Sequence, residues 1–253
     1  MARQAAPAFL VLAAGRGNRM GHLTASSPKC LVELDGRSLL DWQVTAAHGA
    51  GMTAVTVVTG YREDRLCSEE FSTVSNPLWH KYEMVYSLFV GLSVIDPSVD
   101  VVVSYSDIVF TAAPLATLME STGGLSITVD MDWSKQWSAR FSDPLDDAEE
   151  LTFEEKSRRL LTIGRRPVGI EKIHGQYMGL LIIRSAARKR LEELWVEIND
   201  YSLQMTAFLN LALESGMEIG VAPVHGNWFE IDSVSDLEVA SQWVGDGRLR
   251  LSE

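Results

Sequence analysis

The sequence has 253 residues, with 22 lysines and arginines against 34 aspartates and glutamates, a formal net charge of −12. This charge argues against binding to nucleic acid or anionic membranes, because both attract proteins with broadly basic surfaces. A hydrophobic content of 46% can bury one substantial core, and two cysteines provide neither a disulfide framework nor metal-ligand spacing. We therefore expect a globular cytoplasmic protein whose N-terminal apolar run is neither a signal peptide nor a membrane span.

Apolar runs alternate with helical patterns along most of the chain, which predicts an α/β fold. Several runs are apolar on both faces, as is typical of central strands covered by helices. The strand candidates are residues 9–13, 54–59, 99–105, 125–130, 179–183 and 217–221.

Helical stripes lie between these runs and after them. They are predicted at residues 40–47, 187–198 and 203–215, and from Ser233 onward. Gly216 is a typical helix stop, and Ser233 with Asp236 three residues later forms a capping pattern.

Residues 131–173 interrupt this alternation and are rich in charge and tryptophan. We interpret this stretch as an insertion or lid over a ligand site within an otherwise single domain. A polar surface excursion without function is the alternative.

A loop with two glycines follows the first strand candidate. Gly15 and Gly17 let the backbone approach a ligand, while Arg16, Arg19 and Lys29 add three cations. This pattern predicts a loop that binds phosphate groups. A dinucleotide-binding fingerprint would need a third glycine where methionine stands, and a Walker loop would need its lysine much earlier.

Several motifs resemble those of the nucleotidyltransferases that activate sugar phosphates and small phospho-compounds. The strongest covers residues 12–20 and 27–32, and it continues through 36–43 and 57–61. The sequence also resembles the choline-phosphate and phosphonate cytidylyltransferase branch at residues 76–77, 86–88, 105–110, 175–180 and 228–233. The resemblance implies a Rossmann-like α/β/α sandwich with a mixed, mainly parallel sheet, and release of pyrophosphate from a nucleoside triphosphate with Mg²⁺.

The same resemblance implies roles for individual residues at the nucleotide. Arg16 and Arg19 would hold the β- and γ-phosphates, and Lys29 would bridge the acceptor and the α-phosphate. The expected nucleotide-binding residues are Leu12, Ala13, Ala14, Gly15, Arg16, Gly17, Asn76, Ser87 and Ser106.

Two aspartates are expected to bind Mg²⁺. Asp107 follows an apolar run and should emerge at the carboxyl end of a strand, and Asp232 ends another apolar run. Two carboxylates suffice because Mg²⁺ keeps water ligands and takes phosphate oxygens. Glu230 is a third candidate, and each aspartate alone could instead be a cap or turn residue.

The expected acceptor-binding residues are Trp133, Lys135, Arg140, Gln176 and Tyr177. Two cations in this set, and an acidic run at residues 143–149 similar to that of phosphonate-directed relatives, favour a small phosphonate that receives CMP from CTP. A phosphate monoester is the related option.

Three alternatives stay open at this stage. One is a choline-phosphate acceptor, although Met84 and Val85 stand where the resemblance would lead us to expect paired asparagines. Another is a sugar-1-phosphate with UTP or dTTP, and the third is a sensor that binds nucleotide without turnover. A homodimer is compatible with all of them.

Overall fold

The computed structural model describes residues 6–251. Its strands are β1 (Ala8–Leu12), β2 (Glu33–Leu34), β3 (Arg37–Ser38), β4 (Val55–Thr59), β5 (Ser72–Ser75), β6 (Val101–Tyr105), β7 (Ile108–Phe110), β8 (Leu125–Asp130), β9 (Glu150–Glu154), β10 (Arg159–Arg165), β11 (Gln176–Ile183), β12 (Ile219–Val224) and β13 (Trp228–Glu230). The α-helices are α1 (Leu39–Gly49), α2 (Met84–Leu92), α3 (Ala112–Glu120), α4 (Trp133–Arg140), α5 (Ser185–Ile198), α6 (Met205–Glu214) and α7 (Val234–Gly245).

A nine-stranded sheet with the order β5-β4-β1-β6-β11-β8-β12-β10-β9 forms the centre of the protein. Strand β1 pairs in parallel with β4 and β6, and β8 pairs in parallel with β12. Strands β10 and β11 run against their neighbours. The predicted mixed, mainly parallel α/β/α sandwich is therefore confirmed, together with all six strand candidates and the four predicted helices.

Alternating side chains of β1 explain why helices cover both faces of the sheet. Phe9 and Val11 pack with residues of α1, α3 and α4, whereas Leu10 and Leu12 pack with residues of α2, α5 and α6. Because both faces are covered, every β1 residue is buried.

A third layer of packing holds the C-terminal part of the chain. Strand β13 pairs antiparallel with β7, and Phe229 and Ile231 pack with Met20 and Ala240. Ser233 and Asp236 form the capping box that begins α7, as the sequence predicts.

Residues 131–173, expected to form an insertion or lid, contain α4 and the hairpin of β9 and β10. The hairpin extends the central sheet because β10 pairs with β12. Trp133 and Trp137 of α4 belong to the core. The segment thus helps to build the sheet and its core. That it also acts as a lid stays a prediction.

Within residues 6–251, no helix is long and apolar enough to cross a bilayer.

Candidate active site

A cleft of about 400 Å³ opens at the carboxyl end of β1, above the two glycines. We call it the glycine-loop cleft. Six of the residues expected to bind nucleotide contribute to its lining: Leu12, Ala14, Gly15, Gly17, Ser87 and Ser106. Arg19, Lys29, Asp107 and Asp232 also line it, so the structure brings the expected phosphate and metal residues together.

Three other expected residues lie elsewhere. Ala13 is buried in the core, because its side chain points to the sheet face that α1 covers. Asn76 is buried and donates a hydrogen bond of 3.0 Å to Ser87 Oγ, so it positions a lining residue. Arg16 is exposed, and its guanidinium lies 5.3 Å from the centre of the Tyr61 ring.

Lys29 is the central charge of the site. Its Nζ donates to Asp107 Oδ2 at 2.8 Å and to Asp232 Oδ1 at 2.6 Å, and its side chain is only 8% exposed. Burial alone would lower the pKa of Lys29, but the two carboxylates outweigh it and hold the pKa above its ordinary value. The lysine therefore stays protonated.

Gly17 makes room for this lysine. It has a φ of +69°, and a Cβ at this position would lie 2.7 Å from Lys29 Cβ. A side chain here would therefore strain the loop and push the lysine away from the carboxylates.

The pairing of β7 with β13 brings the two aspartates together. Glu230 lies opposite Ile108, and the Ile231 N–H donates to the Asp107 carbonyl at 2.8 Å. Gln43 of α1 fixes the turn from within, since its Nε2 donates to the carbonyls of Tyr105 at 2.9 Å and Ile108 at 2.7 Å. Asp107 and Asp232 therefore reach one point from distant parts of the chain.

Asp232 is held ionised by three cations. Burial would raise its pKa, but Lys29, Arg19 and Arg140 together lower it. Arg19 Nη2 lies 3.1 Å from Asp232 Oδ1 although its side chain is 67% exposed. The Glu230 pKa is raised to about 7 by burial and by the nearby Asp232, against the opposing effect of Arg140.

Arg140, expected to contact the acceptor, is instead enclosed among carboxylates. Its side chain is 0% exposed, and it lies 2.6 Å from Glu230 and 3.0 Å from Asp236. Its Nη2 is 3.6 Å from Asp232 Oδ2. Because these carboxylates take up its charge, Arg140 supports the wall of the site and does not line either cavity there.

Trp133 and Lys135 were also expected at the acceptor, and the structure does not bring them to the cleft. Trp133 is 5% exposed and packs in the core. Lys135 points away, pairs with Asp132 at 3.3 Å and lines a separate cavity. The helical period of α4 separates them, since its core face and its outer face carry these two residues.

A second cavity of about 360 Å³ adjoins the glycine-loop cleft at Asp107 and Asp232. We call it the acidic pocket. Gln176 and Tyr177, both expected at the acceptor, line it. The lining residues that sequence reasoning did not assign include Asp147, Glu149, Gln204 and Thr206. The acidic run at residues 143–149 was the signal for the first two, whereas no local pattern marks the others.

The two aspartates offer a partial fit to a divalent cation. Within the described chain, no group of three or more histidines, cysteines or acidic residues has a metal-binding arrangement. Asp107 Oδ1, however, is buried and has no hydrogen-bond partner among these residues. An unpaired carboxylate oxygen beside a second carboxylate is suited to Mg²⁺, which needs few protein ligands.

Comparison with known proteins assigns the family. The model of the MobA-like NTP transferase domain matches residues 9–204. The chain is 32% identical over 250 residues to CTP:phosphoglutamine cytidylyltransferase of Campylobacter jejuni, covering 91% of this chain and 97% of that protein. A shorter match, 34% identical over 58 residues, is to 2-aminoethylphosphonate cytidylyltransferase of Lancefieldella rimae and covers 23% of this chain and 24% of that protein.

Solved structures confirm the fold. The inositol-1-phosphate CTP transferase of T. maritima aligns with a TM-score of 0.75 and 21% identity over 95% of this chain and 97% of that one. The CTP:phosphocholine cytidylyltransferase of Streptococcus pneumoniae aligns with a TM-score of 0.71 and 17% identity over 94% and 98%. The chain therefore belongs to the MobA-like NTP transferase family and is a nucleotidyltransferase whose relatives include cytidylyltransferases.

Proposed function

We propose that this enzyme transfers CMP from CTP to a small acceptor that carries a phosphonate or phosphate monoester group, with Mg²⁺ as cofactor. The main observation that supports this proposal is that Lys29, Asp107 and Asp232 meet where the glycine-loop cleft joins the acidic pocket. CTP would occupy the cleft, and the acceptor would enter from the pocket. The names of the relatives support CTP as the nucleotide.

In this reaction an anionic oxygen of the acceptor attacks the α-phosphorus of CTP. A new oxygen–phosphorus bond forms, the bond from the α-phosphorus to the bridging oxygen breaks, and pyrophosphate leaves with that electron pair. No general base is needed, because the attacking oxygen is already ionised near neutral pH. The difficulty is to bring anions together and to stabilise the charge on the phosphoryl oxygens.

The charged side chains of this protein are placed where they could stabilise the phosphate groups. Lys29 would stabilise the α-phosphoryl oxygens where the acceptor approaches, since its ammonium is held at the junction. Arg19, which is mostly exposed at the rim, would bind the departing pyrophosphate end. Asp107 and Asp232 would hold Mg²⁺, which supplies Lewis-acid stabilisation of the phosphates.

The deciding experiment measures pyrophosphate release with CTP, UTP, dTTP, ATP and GTP. The acceptors are 2-aminoethylphosphonate, 2-hydroxyethylphosphonate, phosphocholine, phosphoethanolamine and glucose 1-phosphate, each with and without Mg²⁺. We expect turnover with CTP and at least one small phosphonate or phosphate monoester, abolished by a chelator. Turnover only with UTP or dTTP and the sugar phosphate would contradict the proposal, as would nucleotide binding without release.

A further inference from the structure

The acidic pocket carries more negative charge than the chain neutralises. Five carboxylates line it, and Arg19 is the cationic side chain of that lining. Lys29 pairs with Asp107 and Asp232, and Arg140 pairs with Glu230 from behind the wall. Asp147 and Glu149 form no ion pair with a lysine or arginine within residues 6–251.

Glu149 is held in place by neighbouring strands and helices. Gln176 Nε2 donates to the Glu149 carbonyl at 2.7 Å, and Gln176 Oε1 accepts from its N–H at 3.0 Å. Thr206 Oγ1 donates to Glu149 Oε1 at 3.2 Å. The fixed backbone and the single hydroxyl contact set the carboxylate at the wall of the pocket without neutralising it.

Asp147 and Glu149 are partly buried, and keeping their carboxylates ionised there without a ligand costs free energy. Burial raises the pKa of Asp147, although Arg140 opposes the rise, and burial likewise raises the pKa of Glu149. Partly desolvated carboxylates without an ion-pair partner gain most from a cationic ligand, since a charge-assisted hydrogen bond would offset their desolvation.

Two buried donors in the same lining also indicate a ligand. Trp137 Nε1 and Tyr177 Oη are buried and complete no hydrogen bond of normal geometry within residues 6–251, although Trp137 lies beside Asp147 and Tyr177 beside Tyr105. Trp137 is 4% exposed and lines the pocket. Buried polar groups in native proteins are normally paired, so donors without a complete hydrogen bond favour a bound molecule that brings an oxygen acceptor into the pocket.

The aromatic side chains of the pocket do not form an open cage. Tyr105 and Tyr177 pack edge to face against each other with ring centres 5.7 Å apart, and Trp137 packs against Trp133 and Trp228. A quaternary ammonium, which donates no hydrogen bonds, depends on exposed ring faces. A primary ammonium instead uses carboxylate oxygens, which this pocket supplies.

We propose that the acceptor of this enzyme carries a protonated primary amino group and that Asp147 and Glu149 bind it. This inference rests on the proposed function, because it places the phosphonate or phosphate end of the acceptor at Lys29. The amino group then lies at the far wall of the acidic pocket. Asp147 and Glu149 are specificity-determining residues, and they select the acceptor without contacting CTP.

The test compares acceptors that differ only at the charged group. 2-Aminoethylphosphonate and propylphosphonate have the same length, with an ammonium in one and a methyl group in the other. With CTP and Mg²⁺, kcat/KM should be at least about a hundredfold higher for the amino compound, because a polar site left unpaired rejects the methyl analogue. Phosphoethanolamine and phosphocholine provide the second matched pair.

Two variants assign the preference to the pocket. Glu149→Gln and Asp147→Asn should each lower kcat/KM for 2-aminoethylphosphonate at least about tenfold. They should leave the KM for CTP nearly unchanged and should lower kcat/KM for propylphosphonate much less than for the amino compound. Asp146→Asn is the matched control, because Asp146 is the exposed neighbour of Asp147 and lines neither cavity of the site.

The outcomes separate this inference from the proposed function. Absence of pyrophosphate release with CTP and every acceptor would overturn both. Turnover of propylphosphonate equal to that of the amino compound would overturn only the ammonium site. A higher kcat/KM for phosphocholine than for phosphoethanolamine would replace the primary ammonium by a quaternary one, and equal losses for both acceptors in the variants would show a structural role.

Discussion

The glycine-loop cleft and the acidic pocket share Asp107 and Asp232 but are built by opposite means. About half of the residues that line the cleft come from positions 12–29, and this half presents glycine backbone and cations. The pocket collects side chains from α4, the segment before β9, strand β11 and helix α6, and it presents carboxylates. Under the proposed function, the cleft would bind the nucleotide and the pocket would select the acceptor.

The shared junction is where a substitution should disable both cavities at once. Asp107→Asn should lower turnover about a thousandfold, because it removes the negative charge of the carboxylate whose Oδ1 is unpaired. The volume of the side chain is nearly preserved. Steady-state rates over a range of Mg²⁺ concentrations measure the effect. Asp64→Asn, at an exposed position, is the control. Turnover within a few-fold of the unmodified enzyme would remove Asp107 from the metal site.

Lys29 and Arg19 test how the cleft divides its charge. Lys29→Ala should lower kcat about a hundredfold, because the lysine stands where the acceptor would meet the α-phosphate. Arg19→Ala should cost less, since its side chain is mostly exposed. Separate kcat and KM values for CTP decide the point. If Lys29→Ala raised only the KM for CTP, the bridging role would be incorrect.

Substitution of Arg140 tests whether this residue supports the wall of the site or contacts the acceptor. Arg140→Met leaves Glu230 and Asp236 without their buried partner and should lower the free energy of unfolding by about 3–5 kcal/mol. Turnover should fall about tenfold as Asp232 loses support.

The measurements are urea unfolding and steady-state kinetics, with Arg140→Lys as a partial rescue because it keeps the charge. A raised acceptor KM at unchanged stability would restore the acceptor contact that the sequence suggested.

The smallest effects are expected at the two glycines of the loop. A Cβ at Gly15 meets nothing within 4 Å and would project into the cleft, so Gly15→Ala should raise the KM for CTP by only a few-fold. Gly17→Ala, by contrast, should lower kcat more, because it displaces Lys29. Thermal melting of both variants distinguishes loop strain from lost contacts. Identical kinetics for the two variants would contradict the packing of Lys29 on Gly17.

The sequence predicted what contiguous residues determine. The buried strands, the capping box at Ser233 and the glycine loop depend on local patterns, and they appear where expected. Asp107 was placed correctly at the end of a strand because apolar burial of β6 fixes where the chain emerges. The convergence of Asp107 and Asp232 was expected from family resemblance, whereas the ion pairs of Lys29 with both aspartates were not predicted, because they depend on tertiary pairing.

The acceptor side shows why the remainder was harder to predict. Lys135 and Arg140 both suggested solvent-facing cations, yet one is exposed and the other is enclosed. Positions 133, 136, 137 and 140 follow the helical period, and this pattern would have indicated that Arg140 shares the buried face. Thr206 and Gln204 had no such signal, since only the packing of α6 brings them to the pocket.

The pairing of Lys29 with Asp232 joins residues that are 203 positions apart in sequence. During synthesis, the glycine loop leaves the ribosome early, whereas Asp232 and the β13 strand that pairs with β7 emerge after all nine strands of the central sheet. Until then Lys29 has only Asp107 as a carboxylate partner, and the Arg140 guanidinium has neither Glu230 nor Asp236. The candidate active site is therefore assembled late, and a ribosome-bound chain that ends before β13 should bury its sheet but not yet turn over substrate.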